Sequence, residues 1–313
     1  MKALKIFGAA LLLLLVVLGT VVATAWAPDR PVASLKARWA TAPSQFIRID
    51  GMDVHIRDEG PRDDPQPILL VHGTSASLHT WDGWAQALKT KHRVIRFDLP
   101  GFGLTGPSPS GDYTLAAYSR FVVDVLEKLG IKQAILAGNS LGGAVAWKTA
   151  ADYPDRVSKL ILVDSAGYPY EPESIPIGFR LAQIRALAPL LQRLLPRSLI
   201  ESSVRNVYAD PSKVTPELVD RYYELTLREG NRKALGDRFK AGNERFSSQI
   251  KQVKQPALVL WGAQDRLIPV AQAQLFAKDI AGSQLQVFDG LGHVPHEEDP
   301  ARTVAAARAF LGD

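Results

Sequence analysis

The chain has no cysteine among its 313 residues and only 2 methionines. Without cysteine there are no disulfides, no thiolate metal sites and no cysteine nucleophile, although the redox compartment stays open. Concentrated charge is also missing, since 37 Lys/Arg against 32 Asp/Glu leave a net charge of +5 with no basic block. That speaks against nucleic acid as a partner. There is no internal repeat, no low-complexity tract beyond the N-terminal leucines, and no histidine–carboxylate cluster at metal-ligand spacing. Nothing in these totals sets an oligomeric state.

What is present begins with apolar material, 46% of residues against 22% charged, enough for a sizeable core. Lys2 and Lys5 precede an apolar run over 6–27. Its length suits a membrane-spanning helix, which needs about 20 residues. The expectation is an uncleaved N-terminal anchor with the rest of the chain on the extracytoplasmic side, following the positive-inside rule. Ala23-Thr24-Ala25 and Ala25-Trp26-Ala27 offer cleavage patterns, so a removed signal peptide and a secreted or periplasmic product is the competing reading. Residues 28–45, with Pro28, Pro31 and Pro43, read as a linker leading away from the membrane.

From Phe46 onward strands and helices alternate. The stretches at 46–50 and 53–60 suggest an antiparallel pair joined at Asp50-Gly51. Short continuous apolar runs at 67–73, 92–98, 133–138, 157–164, 256–262 and 284–289 suit strands, the most apolar of them buried on both faces. Helical patterns near 81–88, 115–129, 141–153, 270–280 and 300–311 separate them, which implies a mostly parallel, helix-flanked sheet. Residues 168–253 break the rhythm. They are helix-prone, proline-punctuated and arginine-rich, as expected for a helical cap inserted into a domain spanning 46–313. Within it, Leu181, Ile184, Leu187, Leu190, Leu191, Leu194 and Leu195 suggest one helix with a broad apolar face.

Gly138-Asn139-Ser140-Leu141-Gly142 lies where a strand pattern becomes a helix pattern. It matches G-x-S-x-G, in which a sharp turn exposes the serine hydroxyl at the carboxyl edge of the sheet. A serine needs a base to become a nucleophile. Among six histidines, His293 sits in a glycine-bearing loop after the last strand, also at that edge; His296 is its nearest rival. Asp265, after the preceding strand, is the expected acid partner, with Asp164 as the alternative. The backbone N–H groups of Thr74, after the His72-Gly73 turn, and of Leu141 are the expected oxyanion donors, each worth about 3–4 kcal/mol of barrier. His72 and Asp98 read as scaffold, and Asn139 has no evident role.

These residues together resemble the α/β-hydrolase fold superfamily, in its serine-nucleophile carboxylesterase/lipase-like branch. The matching motifs are HG at 72–73, D-x-x-G-x-G at 98–103, G-N-S-L-G-G at 138–143, W-G-x-x-D ending at Asp265, and G-H-x-P-H-x-E-x-P at 292–300. The resemblance implies a Ser140–Asp265–His293 triad that cleaves a small-molecule carboxylic ester through an acyl-enzyme, with no cofactor. Ser140 stands where dehalogenases and epoxide hydrolases of this fold carry aspartate. The G-N-S-x-G-G elbow keeps C–C hydrolases of meta-cleavage products as an alternative. Those usually have tryptophan shortly after the catalytic histidine, whereas Val294-Pro295-His296 follow here. Perhydrolases share the triad, and a non-catalytic ligand-binding relative is the reading outside catalysis.

Overall fold

The computed structural model describes residues 7, 11–12, 15–16, 19–20, 22–242 and 247–313. Eight strands form one sheet: β1 (Gln45–Ile49), β2 (Met52–Glu59), β3 (Ile68–Val71), β4 (Val94–Phe97), β5 (Ala134–Asn139), β6 (Val157–Val163), β7 (Ala257–Gly262) and β8 (Gln284–Phe288). Their order is β1-β2-β4-β3-β5-β6-β7-β8. β2 pairs antiparallel with β1 and β4, and the remaining pairs are parallel. The expected antiparallel start and parallel body are both present.

β3 shows why a continuous apolar run makes a central strand. Ile68, Leu69, Leu70 and Val71 are all fully buried, and alternate residues face opposite layers. Ile68 and Leu70 meet Trp84 and Leu88 of α2 (Asp82–Leu88), while Leu69 and Val71 belong to the opposite core with Val122 and Val145. Val122 lies on α3 (Leu115–Lys128) and Val145 on α4 (Leu141–Asp152). Each such side chain contributes on the order of 2 kcal/mol by burial.

Between β6 and β7 the chain forms the cap. Its helices are α5 (Ile177–Ala182), α6 (Ala188–Leu191), α7 (Arg197–Val207), α8 (Pro216–Thr226) and α9 (Asn231–Ala241). The single helix expected over 181–195 is broken, because Pro189 starts α6 afresh and Pro196 precedes α7. Its apolar face divides accordingly: Leu181, Leu191 and Leu195 line a cavity, whereas Ile184 and Leu190 are exposed.

The N-terminal expectations fare differently. Of the anchor expected over 1–27, residues 1–6, 8–10, 13–14, 17–18 and 21 lie outside the described residues; those described up to Ala25 are helical. Among the described residues no helix is long and apolar enough to cross a membrane. Residues 28–45 do not lead away as a linker. Arg30 exchanges backbone hydrogen bonds with Leu227 and Glu229, and Ala25 and Ala27 bond Leu195 and Arg193. Helix α1 (Val32–Trp39) then buries Leu35 and Trp39 against Leu104 and Leu225. Arg38 pairs with Asp220 and Glu224, and the Trp39 Nε1–H donates to Glu224 at 2.6 Å. The prolines that suggested a linker mark the ends of short packed elements, Pro31 standing just before that helix.

Candidate active site

Ser140 stands between β5 and α4 with φ 55° and ψ −116°, a strained conformation for a residue bearing a Cβ. The strain is held by close packing. A Cβ on Gly138 would lie 2.1 Å from the Gly142 carbonyl oxygen, and one on Gly142 would lie 2.1 Å from that of Val71. Both glycines are therefore demanded by the turn itself. Leu141 begins α4, so its N–H belongs to the first turn, which has no partner within the helix. Thr74 follows Gly73, whose Cα comes so close to Asn139 and Ser140 that a Cβ there would sit 3.0 Å from Asn139 Oδ1. The two expected oxyanion residues thus flank Ser140, and Thr74 and Ser140 line the same cavity.

α10 (Ala271–Asp279) joins β7 to β8, and His293 lies between β8 and the short helix α11 (Pro295–Glu298). Its Nδ1 lies 2.7 Å from Asp265 Oδ2, so it carries the proton there and leaves Nε2 as the basic nitrogen. Asp265 is itself fixed, since its Oδ1 accepts the N–H groups of Leu267 and Ile268 at 2.8 and 2.9 Å. His293 is thus bonded to Asp265 and lines the same cavity as Ser140. His296 does not compete. It is fully buried, shares a 3.0 Å hydrogen bond with Thr80, packs against Trp81 at 4.0 Å, and is pushed by burial well below the ordinary imidazole range.

Two residues gain roles that sequence patterns did not announce. Asn139 Nδ2 donates to the backbone oxygens of His293 at 2.9 Å and of Val163 at 3.1 Å. It ties the histidine loop to the nucleophile turn, while the His293 N–H donates to Val207 of the cap at 2.8 Å. The only hint was its adjacency to Ser140. Asp164, weighed as the alternative acid, closes β6 with one donor atom within 4.8 Å of those of Asp265 and His293. That trio has the spread of a cation site. Yet Asp265 spends its oxygens on His293 and two backbone N–H groups, so the set is wired as a hydrogen-bond chain.

The residues read as scaffold are scaffold. His72 bonds the Gly73 carbonyl through Nδ1 at 2.7 Å and accepts the Leu99 N–H at 2.9 Å. Asp98 accepts the N–H groups of Leu78 and Leu104 and faces His55 Nδ1 at 2.8 Å.

Two cavities meet at Ser140. One, of about 480 Å³, runs under the cap past Leu181, Leu191, Leu199 and Val204 and contains His293. The other, of about 510 Å³, passes Leu141, Trp147, Tyr168, Tyr170 and Leu267. Phe179 and Phe239 line both, their rings edge-to-face at 5.6 Å. A substrate held at Ser140 is offered space on two sides.

The sequence profile of the alpha/beta hydrolase fold family matches residues 66–300. The chain belongs to that family. The hydrolase YugF of Bacillus subtilis is 29% identical over 266 residues, covering 83% of this chain and 95% of its own. A 2-hydroxymuconate semialdehyde hydrolase of Pseudomonas sp. is 30% identical over 258 residues, 79% and 87% of the two chains. Among solved structures, a bacterial membrane phospholipase A superposes with a TM-score of 0.74 at 25% identity, over 98% of both chains. The family, its fold and hydrolase chemistry are common ground among these relatives; their substrates differ.

Proposed function

We propose that this alpha/beta hydrolase cleaves carboxylic esters with an apolar acyl chain, through an acyl-enzyme on Ser140. One observation carries the reading: the strained Ser140 turn and the Asp265-bonded His293 open on one shared, mostly apolar cavity. His293 Nε2 takes the Ser140 proton as Oγ attacks the ester carbonyl. The carbonyl oxygen gains the electron pair and rests on the Thr74 and Leu141 N–H groups. His293 then hands its proton to the leaving alkoxide. Water, deprotonated by the same nitrogen, attacks the acyl-enzyme, and collapse of the second tetrahedral species returns the proton to Ser140 and releases the acid.

The likeness to a membrane phospholipase A over the full chain and the leucine-rich cap cavity both favour lipid-derived esters. The apolar run over 6–27 anchors the chain in this reading, with the catalytic domain on the extracytoplasmic side. Trp26, which bridges to Leu194 of the cap, is exposed, and so are Ile184 and Leu190 of the cap, the kind of surface an apolar bilayer covers. Membrane fractionation with sequencing of the mature N-terminus tests this: a soluble chain starting after Ala25 or Ala27 means a cleaved signal instead.

The similarity to 2-hydroxymuconate semialdehyde hydrolase supports the second reading, C–C bond hydrolysis of a vinylogous diketone. Turnover of p-nitrophenyl esters of increasing chain length, beside a meta-cleavage dienone, separates the two. The ester reading expects kcat/KM to rise with acyl length and the dienone to remain intact. Cleavage of the dienone with inert esters reverses the assignment.

A further inference from the structure

The catalytic reading uses one carboxyl at this edge of the sheet and leaves a second beside it. Asp164 ends β6 with φ 44°, a backbone conformation uncommon outside glycine. Its side chain is fully buried. Oδ1 accepts the Gly262 N–H at 3.0 Å, whereas Oδ2 meets no donor among the described residues. An ionised carboxylate would leave that oxygen unsolvated and unpaired, a costly arrangement in a protein interior.

The surroundings add to the problem. Asp265 faces Asp164 from the loop after β7, and Glu298 faces it from α11; both are acidic. His293, whose donor atom is within 4.8 Å, is the nearest basic group in this set, and its Nδ1 proton is already taken by Asp265. Beyond this circle, Tyr170 stands toward Asp265 and His296 toward His293. Burial, then the Asp265 charge, push the Asp164 carboxyl well above the ordinary carboxylate range. Once protonated, the oxygen without a donor becomes a donor, and the acceptor beside it is Asp265. One proton resolves both the charge repulsion and the unmet hydrogen bond.

We propose that Asp164 is a positioning residue: it carries a proton and donates it as a hydrogen bond to Asp265, so the two carboxyls present a single negative charge to His293. The proposal rests on the serine-hydrolase reading, because it acts through the Asp265–His293 pair. Asp164 touches no substrate, and its proton stays in place throughout the cycle. The hydrogen bond fixes the plane of Asp265 against the imidazole. It also spares His293 a second adjacent negative charge.

The test compares full-length wild type, D164N and D164V. Asn keeps the shape, the acceptor for Gly262 and a donor toward Asp265; Val keeps only bulk. Infrared spectra of protein labelled with carboxyl-13C aspartate read the proton directly and without turnover. The expected result is a protonated aspartic-acid band in wild type at about neutral pH, absent from D164N. Only carboxylate bands in wild type would overturn the proposal, and that measurement needs no folded variant.

The pH dependence of kcat/KM reads the role. D164N is expected within about threefold of wild type with an unmoved acidic limb. D164V is expected to lose about tenfold and to shift that limb upward, because Asp265, deprived of a donor, holds the imidazolium more strongly. A downward shift in D164N would mean that a negative charge had been removed, and the proposal would be wrong. An unmoved limb in folded D164V would overturn the positioning role. Failure of the hydrolase reading looks different, since S140A would then be as active as wild type whatever the infrared spectrum shows.

Discussion

The molecule contains two serine–histidine–aspartate chains, and they differ in the link to the serine: Ser44 is hydrogen-bonded to its histidine, whereas Ser140 shares a cavity with His293 while His293 bonds Asp265. Ser44 Oγ lies 2.9 Å from His55 Nε2, and His55 Nδ1 lies 2.8 Å from Asp98. Asp98, like Asp265, is buried and accepts two backbone N–H groups. The wiring alone would nominate Ser44 ahead of Ser140. Ser44, however, leads into strand β1 rather than into a helix, so no first-turn N–H group follows it. Its oxygen also accepts the Arg57 Nε–H at 2.9 Å, and it lines neither cavity that meets at Ser140. A triad is therefore defined by what surrounds the serine: a turn that exposes it, amides aimed beside it and room for a substrate.

Mutations should separate the two chains in order of effect. S140A is expected to lose about 10⁴- to 10⁶-fold in kcat on a p-nitrophenyl ester, while S44A stays within about twofold. D265N should lose about 10⁴-fold in kcat by turning His293 to the wrong tautomer, with little change in the thermal midpoint. D98N should do the reverse. Its charge is held well below the usual carboxylate range: burial opposes this, but the His55 ring beside it prevails. Breaking that buried pair is expected to cost about 3–5 kcal/mol in urea unfolding, with activity per folded molecule retained. The depressed value means that this stability is present above the unfolded carboxylate range and is lost as pH falls.

Smaller effects sharpen the contrast. N139A removes the tie between the histidine loop and the Ser140 turn, and a roughly tenfold to hundredfold loss of kcat is expected from the misplaced base. On the stability side, His72, His79 and His296 are all pushed below the ordinary imidazole range, chiefly by burial. Each must take a proton on unfolding in acid. Their contribution is complete above about pH 6.5 and declines below it. The slope of unfolding free energy against pH should therefore flatten in H296Q, measured by urea titration from neutral to mildly acidic pH.

The same comparison shows what the sequence made legible. The central strands β3, β5 and β7 announce themselves because burial on both faces leaves no polar alternation. Ser140, Asp265 and His293 were readable because each follows a strand whose carboxyl end faces the same edge. The Ser44 chain was not, because it joins residues brought together by the antiparallel pairings of β2 with β1 and with β4. Asp164 was visible as an acid but not as a neighbour of Asp265, which depends on β6 lying next to β7. The packing of 28–45 on the cap also escaped notice, since its partners lie some 180–200 positions along the chain. Local patterns give strands and loops; contacts across the cap emerge only from the assembled fold.

The central claim is that Ser140, and not Ser44, is the nucleophile. Full-length protein treated with a serine-directed fluorophosphonate and analysed by peptide mass spectrometry tests it directly. The account predicts one adduct, on the peptide carrying Ser140, with loss of esterase activity in parallel and the same labelling in S44A. An adduct on Ser44, or activity that survives complete labelling of Ser140, would contradict it.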